Sequence, residues 1–408
     1  MPCLPPPRAF QEGRRACTFA LLLGASLGLG GCGQRGDLLG TIVPLVDGGG
    51  SADGAAGADA GGARLPSYFI GADITFVEAD EAAGATYSDG AAKDILRLLK
   101  DHGFNTIRLR TFVDPRAADG YDQLNGAADL AHTIAFAKRV KAAGMGFLLN
   151  FHYSDNWADP GKQCVPVAWQ GMTFTQMAQA VHDYTKNVIS QLVVAGARPD
   201  MVQLGNEITP GMLIHVCDST GSPTGTSAVN GSALNWSNLG QLLKAGVAGL
   251  QEVDASIQIM LHIDRGGDKA TDTDGKALQS SADWVTSAIE QGVHFDVLGE
   301  SAYQLYQGDP SSDANTKSTW SSTFSGLAAR FPGLKLVAVE YGSMQREIND
   351  VVYGLPGQQG LGTFNWEPTR QGAWNTGHAL FTASGTQYTA TADLSLYDAM
   401  KSAYADRL

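Results

Sequence analysis

Basic residues are scarce in this chain: 28 lysines and arginines face 41 aspartates and glutamates, for a formal net charge of −13. Recognition of a phosphate backbone needs clustered basic side chains, so nucleic acid is excluded as the main partner. Cysteine is also rare. Three of the five fall within the first 32 positions, leaving Cys164 and Cys217 for the body of the chain, too few for a fold held together by disulfides. The apolar stretch from about Cys17 to Leu29 is too short to span a bilayer as a stable helix. No glycine-rich phosphate loop follows the first strand-like segment, which argues against a doubly wound dinucleotide-binding sheet. His152 and His262 lack a second ligand at zinc-type spacing, so no metal centre is expected.

Arg8, Arg14 and Arg15 precede the early apolar stretch, and this order reads as an export signal. It closes on Leu29-Gly30-Gly31-Cys32, which is similar to the bacterial lipobox, where the cysteine is lipidated and becomes the first mature residue. Residues 1–31 are then a signal peptide. Residues 32–66, mostly Gly, Ala and Asp, cannot offset the entropy of ordering and read as a flexible linker. The expected product is an exported lipoprotein at the cell surface or in the periplasm. A lipid would be its only membrane contact; without lipidation it is secreted.

From residue 67 to 408 strand-like and amphipathic segments alternate with no low-complexity break. The strand-like runs are Tyr68–Ile74, Thr106–Phe112, Gly146–Tyr153, Met201–Ile208, Ile257–Ile263, Phe295–Tyr303, Lys335–Glu340 and Gly362–Trp366. Helical spacing marks Lys93–His102, Ala127–Ala143, Thr175–Val194, Leu239–Val253, Asp283–Gln291 and a final helix within Asp393–Tyr404. Gly103, Gly144, Gly196 and Gly292 stand where left-handed C-caps are expected. Eight such units predict an α/β fold, a single (β/α)8 barrel acting as a monomer, with its site at the carboxyl ends of the strands.

Polar residues gather at those ends. Glu207 and Glu340 finish the fourth and seventh apolar runs, and a carboxylate there is costly without a partner or a task. Arg108 and Arg110 alternate with Ile107 and Leu109, so both should face the barrel interior. Asp73, Asn150, His152, Asn206, His262, Asp264, Tyr303, Trp366 and Glu367 complete a ring. Two carboxyl groups held together suit acid–base cleavage of a glycosidic bond, and a retaining enzyme places them about 5–5.5 Å apart.

Several stretches carry a resemblance. Asn206-Glu207 on strand four with Glu340 on strand seven resembles clan A of the glycoside hydrolases. Gly71-Ala72-Asp73-Ile74, Arg108-Leu109-Arg110, His152-Tyr153-Ser154-Asp155-Asn156-Trp157-Ala158-Asp159-Pro160-Gly161, Ala168-Trp169 and Gly205-Asn206-Glu207 resemble glycoside hydrolase family 53, the arabinogalactan endo-β-1,4-galactanases. The resemblance implies a retaining enzyme that cuts internal β-1,4-galactosidic bonds in pectin side chains, with Glu207 as acid/base and Glu340 as nucleophile. It further implies that Asn206 binds the sugar and that Arg108, Arg110, His152, Tyr303, Trp366, Asp73, Trp157 and His262 support the site. No cofactor is implied. Departures at Tyr341-Gly342-Ser343, Ala302-Tyr303-Gln304-Leu305-Tyr306 and Thr369-Arg370-Gln371 border the groove, so product length and the exact polysaccharide stay open. Another clan A endo-glycosidase acting on mannan, xylan or arabinan, or an inert glycan-binding barrel, are the alternatives.

Trp157, Trp169, Trp366 and Trp374 are candidates for stacking on sugar, whereas Trp236, Trp284 and Trp320 lie in helical segments and read as packing. Asp155 and Asp159 either shape the third loop or touch substrate. Cys164 and Cys217 follow strands three and four, so a disulfide between the adjoining loops is reasonable in an oxidising compartment. The oxygen-rich segment Asp264–Asp274 would suit calcium but lacks the spacing of a known calcium loop.

Overall fold

The computed structural model describes residues 66–268, 279–375 and 377–408. Eight strands succeed one another: β1 (Phe69–Asp73), β2 (Thr106–Thr111), β3 (Gly146–Phe151), β4 (Met201–Leu204), β5 (Gln258–Ile263), β6 (Val297–Ser301), β7 (Lys335–Tyr341) and β8 (Gly360–Trp366). Each pairs in parallel with its neighbours, and β8 closes on β1, with Phe69 beside Gly362 and Asp73 beside Trp366. A helix follows every strand: α1 (Ile95–Asp101), α2 (Leu130–Ala142), α3 (Phe174–Val194), α4 (Trp236–Asp254), α5 (Ser281–Glu290), α6 (Asp313–Arg330), α7 (Gln345–Tyr353) and α8 (Ser395–Ala403). The (β/α)8 barrel predicted from the alternating pattern is the observed fold.

Alternation along each strand splits the core in two. Phe69, Leu148, Met201, Met260, Val297, Val337, Val339 and Phe364 fill the lower barrel. Outward residues such as Ile107, Leu109, Val202, Leu204 and Leu261 pack beneath the helices. Four glycines predicted as C-caps take positive φ directly after helices. Trp284 and Trp320 are fully buried and donate their indole N–H to Thr209 and Gln307 carbonyls.

Two local irregularities differ from the sequence pattern, and both lie at the barrel mouth. The fourth run was expected to continue as strand to Ile208, but β4 stops at Leu204. Gly205 then turns at φ +86°, where an added Cβ would meet Ile208 at 2.6 Å, and Glu207 itself is left-handed at φ +47°. In β7 the pairing with β6 runs Glu300 to Ala338 and then Ser301 to Glu340, so Val339 is an extra residue. That bulge lets Val339 and Glu340 both turn inward, where strict alternation would aim Glu340 at the helices.

The loops above the strands carry small additions. Phe381–Ser384, Gln387–Ala390, Thr86–Ser88 and Ala92–Lys93 form a four-stranded sheet, and His215–Cys217 with Pro223–Thr226 forms a hairpin after β4. A disulfide joins Cys164 to Cys217, tying the loop after β3 to that hairpin. At the opposite end of the barrel, the Tyr68 amide donates to the Arg407 carbonyl at 2.8 Å. The Arg407 guanidinium reaches back to the carbonyls of Ser67 and Gly360.

Candidate active site

Inward positions at the upper ends of the strands are polar, and they form one connected network below a cavity of about 530 Å³. Arg108, fully buried on β2, organises it. Its Nε donates to Gln203 Oε1 at 3.1 Å and its Nη2 to Asn206 Oδ1 at 2.8 Å. Its Nη1 donates to Asp73 Oδ2 at 3.0 Å and to Glu340 Oε1 at 2.8 Å. The other oxygen of Glu340 accepts from the Tyr303 hydroxyl at 2.9 Å.

Glu207 has different company. Its Oε1 accepts from the Ser301 hydroxyl at 2.6 Å, and its backbone N–H points at His262 Nδ1, 3.3 Å away. Burial pushes the carboxyl groups of Glu207 and Glu340 upward. Only Glu340 has a guanidinium and a phenol holding it down; Glu207 is raised further by the charge of Glu340 and then of Asp264. The environment thus separates the two carboxyls, holding Glu207 further above the ordinary range than Glu340.

Both histidines are neutral at this site. Burial lowers them well below the usual range, aided for His152 by Arg110 and Arg108 and for His262 by Arg108. His152 Nδ1 accepts from the Ala158 amide at 3.0 Å, which folds the loop after β3 over the site. Asn206 is clamped as well: its Nδ2 donates to the Ala158 carbonyl at 2.8 Å, leaving one amide proton for a ligand.

Arg110 sits beside this centre against two adjoining aromatic rings, 4.5 Å from Phe76 and 4.2 Å from Trp157. Its Nη1 donates to Glu367 Oε1 at 2.7 Å. Trp366 packs edge-on to Trp374 at 4.9 Å and to Trp157 at 6.0 Å, making one wall of the cavity. Asp159, Lys162, Asp264 and Tyr306 also line the cavity.

Residues 69–343 match the sequence profile of glycosyl hydrolase family 53. The chain belongs to that family. An arabinogalactan endo-β-1,4-galactanase from Thermothelomyces thermophilus is 30% identical over 329 residues, covering 74% of this chain and 89% of the relative. An endo-β-1,4-galactanase from Bacillus subtilis (strain 168) is 27% identical over 327 residues, covering 74% of this chain and 70% of the relative. A solved fungal β-1,4-galactanase superposes with a TM-score of 0.65 at 26% identity, covering 81% of this chain and 99% of that structure.

In this family 53 barrel, Asp73, Arg108, Arg110, His152, Trp157, Asn206, Glu207, Tyr303, Glu340 and Trp366 all line the cavity. His262 lies beneath it, fully buried. Trp157 gives one face to Arg110, so that face is not open to sugar. Trp374 lines the cavity, whereas Trp169 is buried edge-on to Tyr184 away from it. Asp155 shapes the loop: its two oxygens accept from the amides of Asp114 and Val167. Asp159 lines the cavity and accepts from the Gly161 amide.

Gln203 and Ser301 were not singled out in the sequence, although both touch the central network. Gln203 had a legible signal, a polar residue at an inward position of Met201-Val202-Gln203-Leu204. Ser301 had none. Among the described residues no cluster of three or more His, Cys, Asp or Glu side chains is arranged to hold a metal, and residues 269–274 of the calcium-type segment lie outside the described residues. The signal peptide, Cys32 and nearly all of the linker lie outside them too.

Proposed function

We propose that this chain is a retaining endo-β-1,4-galactanase that cuts internal β-1,4-galactosidic bonds of (arabino)galactan side chains of pectin by double displacement. One observation supports it above the rest: Glu340 is held by Arg108 and Tyr303, while among the described residues the Glu207 carboxyl is met by a serine hydroxyl and faces other carboxylates. Glu340 attacks the anomeric carbon as Glu207 passes its proton to the departing glycosidic oxygen, and a covalent glycosyl-enzyme forms. Glu207, now ionised, takes a proton from water; the hydroxide oxygen replaces Glu340 at the same carbon and configuration is retained. The remaining amide proton of Asn206 meets the sugar 2-hydroxyl, and Trp366 supplies an apolar face for a pyranose ring. The names of the relatives supply the sugar, and no cofactor takes part.

The reading includes export as a monomer, with a lipid on Cys32 as the only membrane contact; among the described residues no helix is long and apolar enough to cross a membrane. A second reading, an endo-glycosidase of the same clan acting on mannan, xylan or arabinan, draws on Tyr306, a half-exposed ring beside Tyr303 where the sequence departs from the family. Reducing-sugar release from a panel of polysaccharides separates them. Linear β-1,4-galactan should be cut into oligomers with β-anomeric products; inactivity on it with activity on another glycan transfers the assignment. Glu207→Ala and Glu340→Ala should each lower kcat by about three orders of magnitude or more without loss of fold.

A further inference from the structure

We propose that Ser301 is the positioning residue of Glu207: the hydrogen-bond chain from His262 through Ser301 fixes Oε1 as an acceptor and leaves Oε2 as the oxygen that carries the proton and delivers it. The inference rests on the acid/base role proposed above, and it assigns which oxygen acts and what holds it.

The direction of the chain follows from its donors. His262 Nδ1 is faced by the Glu207 amide at 3.3 Å, Gln203 Nε2 at 3.1 Å and Asn206 Oδ1 at 3.2 Å. Asn206 Oδ1 already accepts from Arg108 and Asn150, and the Glu207 backbone N–H can only donate, so Nδ1 offers its lone pair to that amide. A neutral imidazole then carries its hydrogen on Nε2, which lies 2.9 Å from Ser301 Oγ. With its oxygen accepting from His262, the serine must turn its own hydrogen to Glu207 Oε1, 2.6 Å away. An oxygen that already accepts this bond is a poor place for a proton, so the proton settles on Oε2, which has no such donor among the described residues. In the glycosylation step that proton passes from Oε2 to the glycosidic oxygen as the bond to the anomeric carbon breaks and the bond from Glu340 forms.

The same histidine receives the Glu207 backbone amide and, through Ser301, orients its side chain. One ring therefore fixes both ends of a residue whose backbone is left-handed at φ +47°. All four groups come from the ends of β4, β5 and β6, so the barrel frame sets the direction of the acid. The charged groups facing Glu207 are Glu340 from β7, Asp264 beyond β5 and Asp159 from the loop after β3. Those facing His262 are Arg108 and, when protonated, His152. None of these donates to Oε1, so among the described residues Ser301 makes that oxygen an acceptor.

Two measurements on the full-length protein test this. In 15N-histidine-labelled protein, two-bond proton–nitrogen correlations should show His262, assigned by loss of its signals in His262→Ala, as the Nε2–H tautomer at neutral pH. A Nδ1–H tautomer overturns the proposal whether or not the enzyme is active. Kinetically, Ser301→Ala removes a donor to the ionised carboxylate. The alkaline limb of kcat/KM should therefore move up by about one pH unit, and turnover on galactan should fall about tenfold or more. An aryl galactobioside with a dinitrophenyl leaving group needs no proton in its first step and should lose less than about threefold in kcat/KM. Ser301→Thr, which keeps the hydroxyl, should restore the limb. Equal losses on both substrates with an unmoved limb would mean that Ser301 only packs. A wild-type enzyme inactive on galactan but active on aryl glycosides would overturn the proposed polysaccharide alone and leave the relay testable on the aryl substrate.

Discussion

At the scale of single residues, charge balance governs the site. Arg108 and Arg110 bring two fixed positive charges into a buried cluster, and Asp73, Glu340 and Glu367 bring three carboxyl groups against them. One carboxyl is in excess, and Glu367 takes up the difference: burial, opposed by Arg110 and reinforced by Asp73, pushes it up to about 8. Its ordinary value in the unfolded chain is near 4.5, so between these limits the folded protein binds the extra proton. Stability contributed by this group is present below the lower value and is lost as pH rises toward about 8, by about 1.4 kcal/mol per pH unit within the window. Glu367→Gln should flatten that decline in urea-unfolding free energies measured from pH 5 to 8.5; a slope equal to that of the wild type would place the extra proton elsewhere. The two glutamates of the proposed reaction were legible in the sequence because carboxylates end apolar runs. Ser301 was not, since a serine after a buried strand has many ordinary explanations, and its role depends on where two other strands deliver His262 and Glu207.

At the scale of elements, the period-two pattern of the strands was legible and its interruptions were not. Strict alternation places Glu340 on the helix side of β7, and only the extra Val339 turns it inward. Helix α6 is marked in the sequence only by Trp320, and its bounds are hidden for a related reason: its buried stripe of Thr316, Trp320, Thr323, Phe324, Leu327 and Ala328 is half threonine and alanine, which disguises an apolar face. The loop after β3 is joined to the hairpin after β4 by the bond between Cys164 and Cys217. Those cysteines lie 53 positions apart, a closure that restricts the unfolded chain by about 4 kcal/mol in the chain-entropy account. Replacing both by alanine should lower the unfolding free energy by about 2–4 kcal/mol. It should also raise KM on galactan more than it lowers kcat, because Ala158 and Asp159 in the tethered loop border the cavity. Unfolding curves that match the wild type would show that the loops hold without the bond.

At the scale of the whole molecule, the repeating plan was legible almost throughout, because eight apolar strands separated by amphipathic segments have few other ways to close. The leader makes its own prediction: a labelled fatty acid should enter the wild-type protein in a bacterial host and fail to enter Cys32→Ala, which should leave the membrane fraction. Equal labelling of both would remove the lipoprotein reading and leave the hydrolase untouched. The seam at the barrel floor bears on how such a chain is carried. Arg407 binds the carbonyls of Ser67 and Gly360, so the first and last described stretches are stitched together at the end away from the cavity. The described chain therefore enters the barrel at its blind end. The open face itself is where a long polymer must lie, and an enzyme that cuts mid-chain needs room there on both flanks of the cleavage point.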